Sequence, residues 1–317
     1  MSHPILVFGA TSMPGFALAR LFPQNVQPFV PPKSRSPWPA LNLEDPAWLE
    51  ALFSAREPRL LIYCHAVCDV SKCENAPDWA YEINVHHIQR LLDILPNATR
   101  LVYVSSDHVF GGNGSYSEES APCPISVYGR TRVEAENLVL KRQRSLVLRS
   151  GLAIGPSHNG RTGHSDWLAY RHRRHLPITI VEDEFRSAVW VDDLAVRIML
   201  LARSEETGLR HIAATRAVSR VELARYLAQH MRIKLTFKTA SRHQQTAPHL
   251  GRVELTTIYH GRQHRPLPSV CDATAPRQGP AGSASVCLLP AANPTGPSAR
   301  RPLESAAGEL SQSRPRR

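Results

Sequence analysis

The chain of 317 residues contains no run of 18 apolar residues, so it carries no sequence signal for a membrane-spanning helix. Its six cysteines, Cys64, Cys68, Cys73, Cys123, Cys271 and Cys287, form no Cys-x-x-Cys pair. That spacing argues against a structural zinc motif; reduced thiols are expected, and no metal. The opening Met1-Ser-His-Pro-Ile-Leu-Val-Phe8 meets its first expected strand too soon to be a signal peptide, and a cytoplasmic location is expected. Basic residues are not interleaved with aromatics in a stripe, so nothing argues for nucleic acid. The net charge of +11 instead suits an anionic small ligand such as a dinucleotide or a nucleotide sugar. Hydrophobic residues, at 42%, are sufficient for a substantial core.

Apolar runs alternate with amphipathic stretches along the first half. Strands are expected at Ile5–Phe8, near 26–30, and at Leu60–Tyr63, Leu101–Val104 and Ser145–Arg149. Helices are expected at 16–22, from Asp45-Pro46 to about 55, as one long element over 78–95, and over 128–141. Alternation of this kind predicts the α/β class, a Rossmann-type doubly wound parallel sheet over residues 1–150. Further helices are expected at 164–174, 192–204 and 219–231, the last opened by the capping-box pattern Ser219-Arg-Val-Glu222. Residues 151–270 would form a small substrate-binding lobe, interleaved with the first part and lying over the carboxyl edge of the sheet. From 271 to 317 the composition turns to Ala, Pro, Ser, Gly and Arg, which predicts a disordered tail or reflects a frame-altered end.

Gly9-Ala-Thr-Ser-Met-Pro-Gly15 lies between the first strand and the first helix. A tight turn there aims backbone N–H groups and a helix N-terminus at a pyrophosphate. Thr11 and Met13 stand in this loop, and Ser12 replaces the middle glycine of the usual pattern. A carboxylate that would bind the 2′-hydroxyl of NAD is absent after the second strand, where Lys33 and Arg35 stand instead. Two cations favour NADP(H), with its 2′-phosphate, and NAD(H) is the alternative. A solvated basic loop with no ligand is the competing interpretation of Lys33 and Arg35.

The ordered series of motifs resembles the extended short-chain dehydrogenases/reductases, in particular the dTDP-4-dehydrorhamnose reductase type and related nucleotide-sugar epimerases, over residues 3–270. It comprises the glycine loop, Asn42-Leu43, Cys64-His-Ala66, Asn84, Ser105-Ser-Asp107, Tyr128-Gly-Arg-Thr-Arg132, and Glu182-Asp-Glu-Phe-Arg-Ser187 leading to Asp192-Asp-Leu-Ala195. The resemblance implies a nicotinamide hydride transfer to a nucleotide-linked sugar. It makes Tyr128 the acid/base and Ser106 the carbonyl-positioning residue, with Asp107 and His108 touching substrate. Asn42, Leu43, Cys64, His65 and Ala66 would line the cofactor, although a packed His65 is the better expectation. Arg186 would hold a substrate phosphate with its planar fork, or else pair with Asp192 or Asp193. Arg171-His-Arg-Arg-His175 is expected to be a solvated helix face.

One lysine is missing. Four residues after Tyr128 the family carries lysine, which lowers the tyrosine pKa, bonds the nicotinamide ribose and relays a proton; here the position is Arg132. Arginine keeps the charge on the same helix face but is planar, larger and effectively never deprotonated. Cofactor binding is expected to persist with slower chemistry; a misplaced positioning group costs about two orders of magnitude in rate. The tryptophan that rhamnose-forming relatives place after the fifth strand is also missing from Leu148-Arg-Ser-Gly-Leu152, which weighs against dTDP-4-dehydrorhamnose itself. Three readings stay open. One is a reductase or epimerase, working as a homodimer or with a partner enzyme. The second is a non-catalytic dinucleotide-binding regulator, as in the β subunit of methionine adenosyltransferase, which resembles these reductases. The third is a decayed paralogue without ligand.

Overall fold

The computed structural model describes residues 4–272. The expected tail lies outside the described residues except for Cys271 and Asp272. In chain order the first elements are β1 (Ile5–Phe8), α1 (Met13–Leu21), β2 (Val26–Phe29), α2 (Pro46–Arg56), β3 (Leu60–Tyr63), α3 (Val70–Asn75) and α4 (Pro77–Tyr81). A π-helical turn at Glu82–His86 joins α4 to α5 (His87–Ile94), followed by β4 (Arg100–Ser106), β5 (Gly114–Tyr116), α6 (Val127–Leu140) and β6 (Ser145–Ser150). The remainder is β7 (Leu152–Ile154), α7 (His164–Arg173), β8 (Thr179–Val181), β9 (Phe185–Arg186), β10 (Ala188–Trp190), α8 (Val191–Ala202) and β11 (Gly208–Ile212). Then come β12 (Val218–Ser219), α9 (Arg220–His230), β13 (Lys238–Ala240) and β14 (Arg252–Leu255).

Six strands form one sheet in the order β2-β1-β3-β4-β6-β11, and every neighbouring pair is parallel. All four residues of β3 and all six of β6 are buried, because helices cover both faces of such a sheet. One core lies between the sheet and α1 with α8; it includes Val7, Leu18, Ile62, Leu146, Leu194 and Ile198. The other lies against α2, α5 and α6, with Phe8, Phe53, Tyr63, Ile88, Tyr103 and Val139. The strand order reverses between β1 and β3, the place where such sheets open a ligand crevice.

The two stretches on either side of residue 150 interleave: β11 lies in the main sheet, whereas β5 joins β12, β9 and β14 in a four-stranded sheet. The expected single helix over 78–95 is broken by the π turn. There Asn84, almost fully buried, hydrogen-bonds the Val67 N–H and carbonyl and the Thr131 hydroxyl, at 2.8, 3.0 and 2.9 Å. These bonds give the extra residue its reason: they fix the loop after β3 to α6.

The same side of the sheet holds a buried ion pair. Arg149 of β6 donates to Glu136 of α6 at 2.7 Å through Nη2 and at 3.1 Å through Nε, and the Ser105 hydroxyl of β4 also donates to Glu136. Removing one partner strands a buried charge. Glu136→Ala is therefore expected to lose about 3–5 kcal/mol of stability, read from urea unfolding at neutral pH; a loss below about 1 kcal/mol would show that Arg149 finds water.

Candidate active site

The glycine loop is built by steric necessity. Gly9 has φ +83°, and a Cβ on it would lie 2.4 Å from the His65 backbone nitrogen. Glycine alone permits both the left-handed backbone and the approach. A Cβ at Gly15 would meet the Gly9 carbonyl, also at 2.4 Å. Between them Ser12 caps α1: its hydroxyl donates to the Gly9 carbonyl at 2.8 Å and accepts from the Gly15 N–H at 3.2 Å. The serine hydroxyl is thus used within the turn, and the α1 N-terminus is left facing the crevice at the strand-order reversal.

Beside this loop lies a cavity of about 580 Å³ lined by Thr11, Ser34, Arg35, His158, Asn159, Arg161 and Thr162. Arg35 belongs to the expected set. Arg161 does not: it comes from the loop before α7, where Asn159 Oδ1 accepts the N–H groups of Arg161 and Thr162 at 2.9 and 3.0 Å. Asn-Gly at 159–160 was the available turn signal, but nothing local indicated that the turn reaches the glycine loop. Lys33 is exposed and does not line the cavity. Leu43 and Cys64 are buried, Asn42 and Ala66 are half-buried, and Met13 packs its sulfur towards Gly163. His65 is buried and stacks on His87, with ring centroids 5.6 Å apart.

At the carboxyl end of β4, Ser106 and Tyr128 come together. The Ser106 hydroxyl stands close enough to the Tyr128 phenol to favour its ionised form, and it donates to Asp107 at 3.1 Å and accepts the His108 N–H at 3.2 Å. The His108 ring stands edge-on to the Tyr128 ring, 5.1 Å between centroids. Arg132 is 2% exposed. Its Nη2 donates to the Val104 carbonyl, and its guanidinium lies over the Tyr103 ring at 4.6 Å, nearer than the Tyr128 ring at 5.9 Å. Its Nε and Nη1 have no hydrogen-bond partner among the described residues. Burial pushes the Tyr128 phenol above its ordinary pKa, and Arg132 offsets this only in part. The expectation that a nearby cation lowers this pKa is corrected for the protein without cofactor: desolvation is the larger effect.

The substrate-side expectations change more. Asp107 is completely buried and holds Arg186 in a bidentate pair, with Nε to Oδ2 at 2.6 Å. Arg186 also donates to Glu184 at 3.2 Å, and Glu184 pairs with His249 at 2.7 Å. Arg186 therefore meets neither Asp192 nor Asp193, and its fork is not free for a phosphate; Asp192 pairs with Arg20 instead. Asp107 accepts from both Arg186 and the Ser106 hydroxyl. Asp107 and Arg186 lie 79 residues apart, so no sequence spacing announces their pairing. The basic run 171–175 behaves as a surface: Arg171 donates to the Pro177 carbonyl at 2.7 Å and lies over Trp167 at 5.5 Å.

Several site histidines are kept neutral. Burial lowers His65 to about 3, helped by His87 and Arg132, and lowers His108 to about 4, helped by Arg186. A depressed pKa in the folded state means that the unfolded chain binds more protons between that value and about 6.5. Stability then falls as pH drops through this window. Replacing His65 by Gln is expected to shrink the stability lost between pH 7 and pH 5 by about 2 kcal/mol, measured by urea unfolding at both pH values. An unchanged loss would show that His65 is protonated in the folded protein.

Relatives and folds agree with this architecture. In Xenopus laevis, methionine adenosyltransferase 2 subunit beta is 32% identical over 160 residues, 49% of this chain and 48% of that protein. The chain thus spans about half the length of this curated relative. The dTDP-4-keto-6-deoxy-D-glucose reductase of Streptomyces niveus is 26% identical over 240 residues, 71% of this chain and 77% of the relative. The fold matches that of dTDP-4-dehydrorhamnose reductase from Bacillus anthracis in complex with NADP, with TM-score 0.72 and 22% identity over 85% of this chain and 96% of that one. It also matches Thermus thermophilus UDP-glucose 4-epimerase in complex with NAD, with TM-score 0.68 and 19% identity over 80% and 90%. Residues 2–257 carry the pattern of the RmlD substrate binding domain, and the chain belongs to that family.

Proposed function

We propose that the chain is a reductase or epimerase of a nucleotide-linked sugar, similar to dTDP-4-dehydrorhamnose reductase, using a nicotinamide dinucleotide with NADP(H) favoured. The observation that carries this reading is the buried Tyr128 phenol beside Ser106 at the carboxyl edge of the sheet, with the buried Arg132 guanidinium 5.9 Å from the tyrosine ring. The residues present fit a dinucleotide. Gly9 and Gly15 give the close backbone approach that a pyrophosphate needs, and Arg35 and Arg161 flank a cavity with no carboxylate in its lining. A bound nicotinamide would supply the hydride.

The chain supplies the proton. A Tyr128 whose pKa is raised carries its proton at neutral pH, the state needed to protonate a carbonyl oxygen as hydride arrives. Ser106 holds that oxygen by its hydroxyl. Arg132 offers Nε and Nη1 to a ribose hydroxyl and its charge to the phenolate left behind. Arg132 cannot pass a proton onward, so Tyr128 would be recharged through water or substrate hydroxyls.

A second reading, a non-catalytic dinucleotide-binding regulatory subunit, is favoured by one observation: Arg132 leans on Tyr103 more than on Tyr128, so the tyrosine keeps a raised pKa. Fluorescence titration with NADPH and NADH, followed by turnover on a dTDP-4-keto-6-deoxy sugar, separates the two. NADPH is expected to bind more tightly than NADH, and Arg35→Ala with Arg161→Ala is expected to weaken NADPH alone by about tenfold or more. Tyr128→Phe should remove turnover while leaving binding. In Arg132→Lys the reductase reading expects a rate up to about two orders of magnitude higher. Turnover found only in the lysine variant would favour the regulatory reading, and failure to bind either cofactor would sink both.

A further inference from the structure

On the far side of His65 from the glycine loop, three side chains that no step above uses converge. They are Glu44, in the segment before α2, Glu82, which opens the π turn, and His87, which opens α5. One ligand atom from each lies within 4.8 Å of the other two. His87 Nε2 stands 3.7 Å from Glu44 Oε1 and 3.8 Å from Glu82 Oε1, too far for a hydrogen bond to either. The His87 side chain is 7% exposed, yet Nε2 has no hydrogen-bond partner among the described residues. A buried nitrogen without a partner, aimed at two carboxylates, calls for an explanation.

We propose that Glu44, Glu82 and His87 form a binding site for a divalent transition-metal ion of the zinc class. Four lines of structure support it. The spacing is right: ligand atoms at about 2.0–2.1 Å from a tetrahedral ion stand about 3.4 Å from one another, close to the two distances seen. The ligand set is right, since one imidazole with two carboxylates suits zinc and its neighbours in the first row better than calcium or magnesium, which take oxygen ligands alone. Glu44 is largely exposed, leaving a solvent route in and a fourth position for water.

The π turn supplies the third argument. Its last hydrogen bond runs from the His87 N–H to the Glu82 carbonyl, five residues back. In a regular α-helix, residues five apart point well away from each other; widening to the π turn brings Glu82 and His87 to the same side. The fourth is support from neighbours. His65 Nε2 lies 3.4 Å from His87 Nδ1. With the Nδ1 proton directed at His65, the His87 lone pair sits on Nε2 and faces the two carboxylates, which is favourable only with a cation between them. Glu82 is fixed by Arg90 at 2.6 Å on Oε1 and by His86 at 2.9 Å on Oε2. Each carboxylate oxygen accepts twice, so a lone pair on Oε1 remains for a metal. The Arg90 charge cancels one carboxylate, which predicts a site of moderate affinity that exchanges its ion.

The test uses the full chain, freed of metal with a chelator and titrated with zinc chloride by calorimetry, with thermal melting in parallel. One zinc per chain is expected, with a rise in Tm. Glu44→Gln, a surface change, should leave the metal-free Tm unaltered, weaken zinc binding about tenfold or more, and remove the zinc-induced rise. His87→Gln should do at least as much; if that variant fails to fold, Glu44→Gln decides. Cys68→Ser should bind as the parent does. The proposal is overturned if the parent binds no stoichiometric zinc, if Glu44→Gln binds zinc like the parent, or if Cys68→Ser is the variant that loses it.

Discussion

The close approach of two backbones, Gly9 against His65, is what the cleft depends on. Strands β1 and β3 are hydrogen-bonded neighbours, and the chain leaves them in different directions at the point where the strand order reverses. With a Cβ at residue 9 the β1–α1 turn would have to move away, because the atom would fall 2.4 Å from the His65 nitrogen. The α1 N-terminus would move with it. Ser12 then sets the helix start by capping Gly15, so the loop keeps its shape although the middle glycine of the usual pattern is absent. The serine substitution alters the means and preserves the geometry.

A second constraint is a charge placed where water cannot reach it. Among the described residues Arg132 has no carboxylate within ion-pairing distance; it meets a carbonyl and two aromatic rings. Glu136, one helical turn further along α6, is occupied by Arg149 and Ser105. A cation kept in this way weakens the folded state unless rings and carbonyl dipoles offset its lost hydration. Such an arrangement makes sense in a site whose ligand brings the missing acceptors. The Asp107–Arg186–Glu184 group shows the other solution, in which the cation is fully satisfied by its own chain and has nothing left to offer.

Much of the sheet was legible in the sequence because strands covered on both faces must be apolar without interruption, as in Leu60-Leu-Ile-Tyr63. β11 was missed because Gly208-Leu-Arg-His-Ile212 lies at the sheet edge, where polar residues are tolerated. The π turn was missed because Ile83 and Ile88 continue an apolar pattern that a single helix explains as well. In the candidate site, the shape of the glycine loop and the placing of Ser106 and Tyr128 at the sheet's carboxyl edge were legible, since each position is local to one strand-to-helix passage. Arg161 and the pairing of Asp107 with Arg186 were not, because both join segments far apart in the chain and no local pattern encodes which distant residue arrives.

The burial that raises the Tyr128 pKa is the same burial that leaves Arg132 without water, and the two effects bear on direction. A tyrosine that acts in oxidation must first lose its proton, and a raised pKa opposes that at neutral pH. A tyrosine that acts in reduction must begin protonated, and the same shift secures it. Once the proton has gone to a substrate oxygen, the phenolate sits near a guanidinium in a medium of low dielectric, where their attraction exceeds that between the same groups in water. If Tyr128 works as an acid, desolvation thus holds its proton beforehand and Arg132 stabilises what remains afterwards. Lysine would add a route for the proton's return. For a Tyr128 that acts as an acid, arginine would supply the charge without the route, so the step made harder would be the recharging of Tyr128, not the first transfer of its proton.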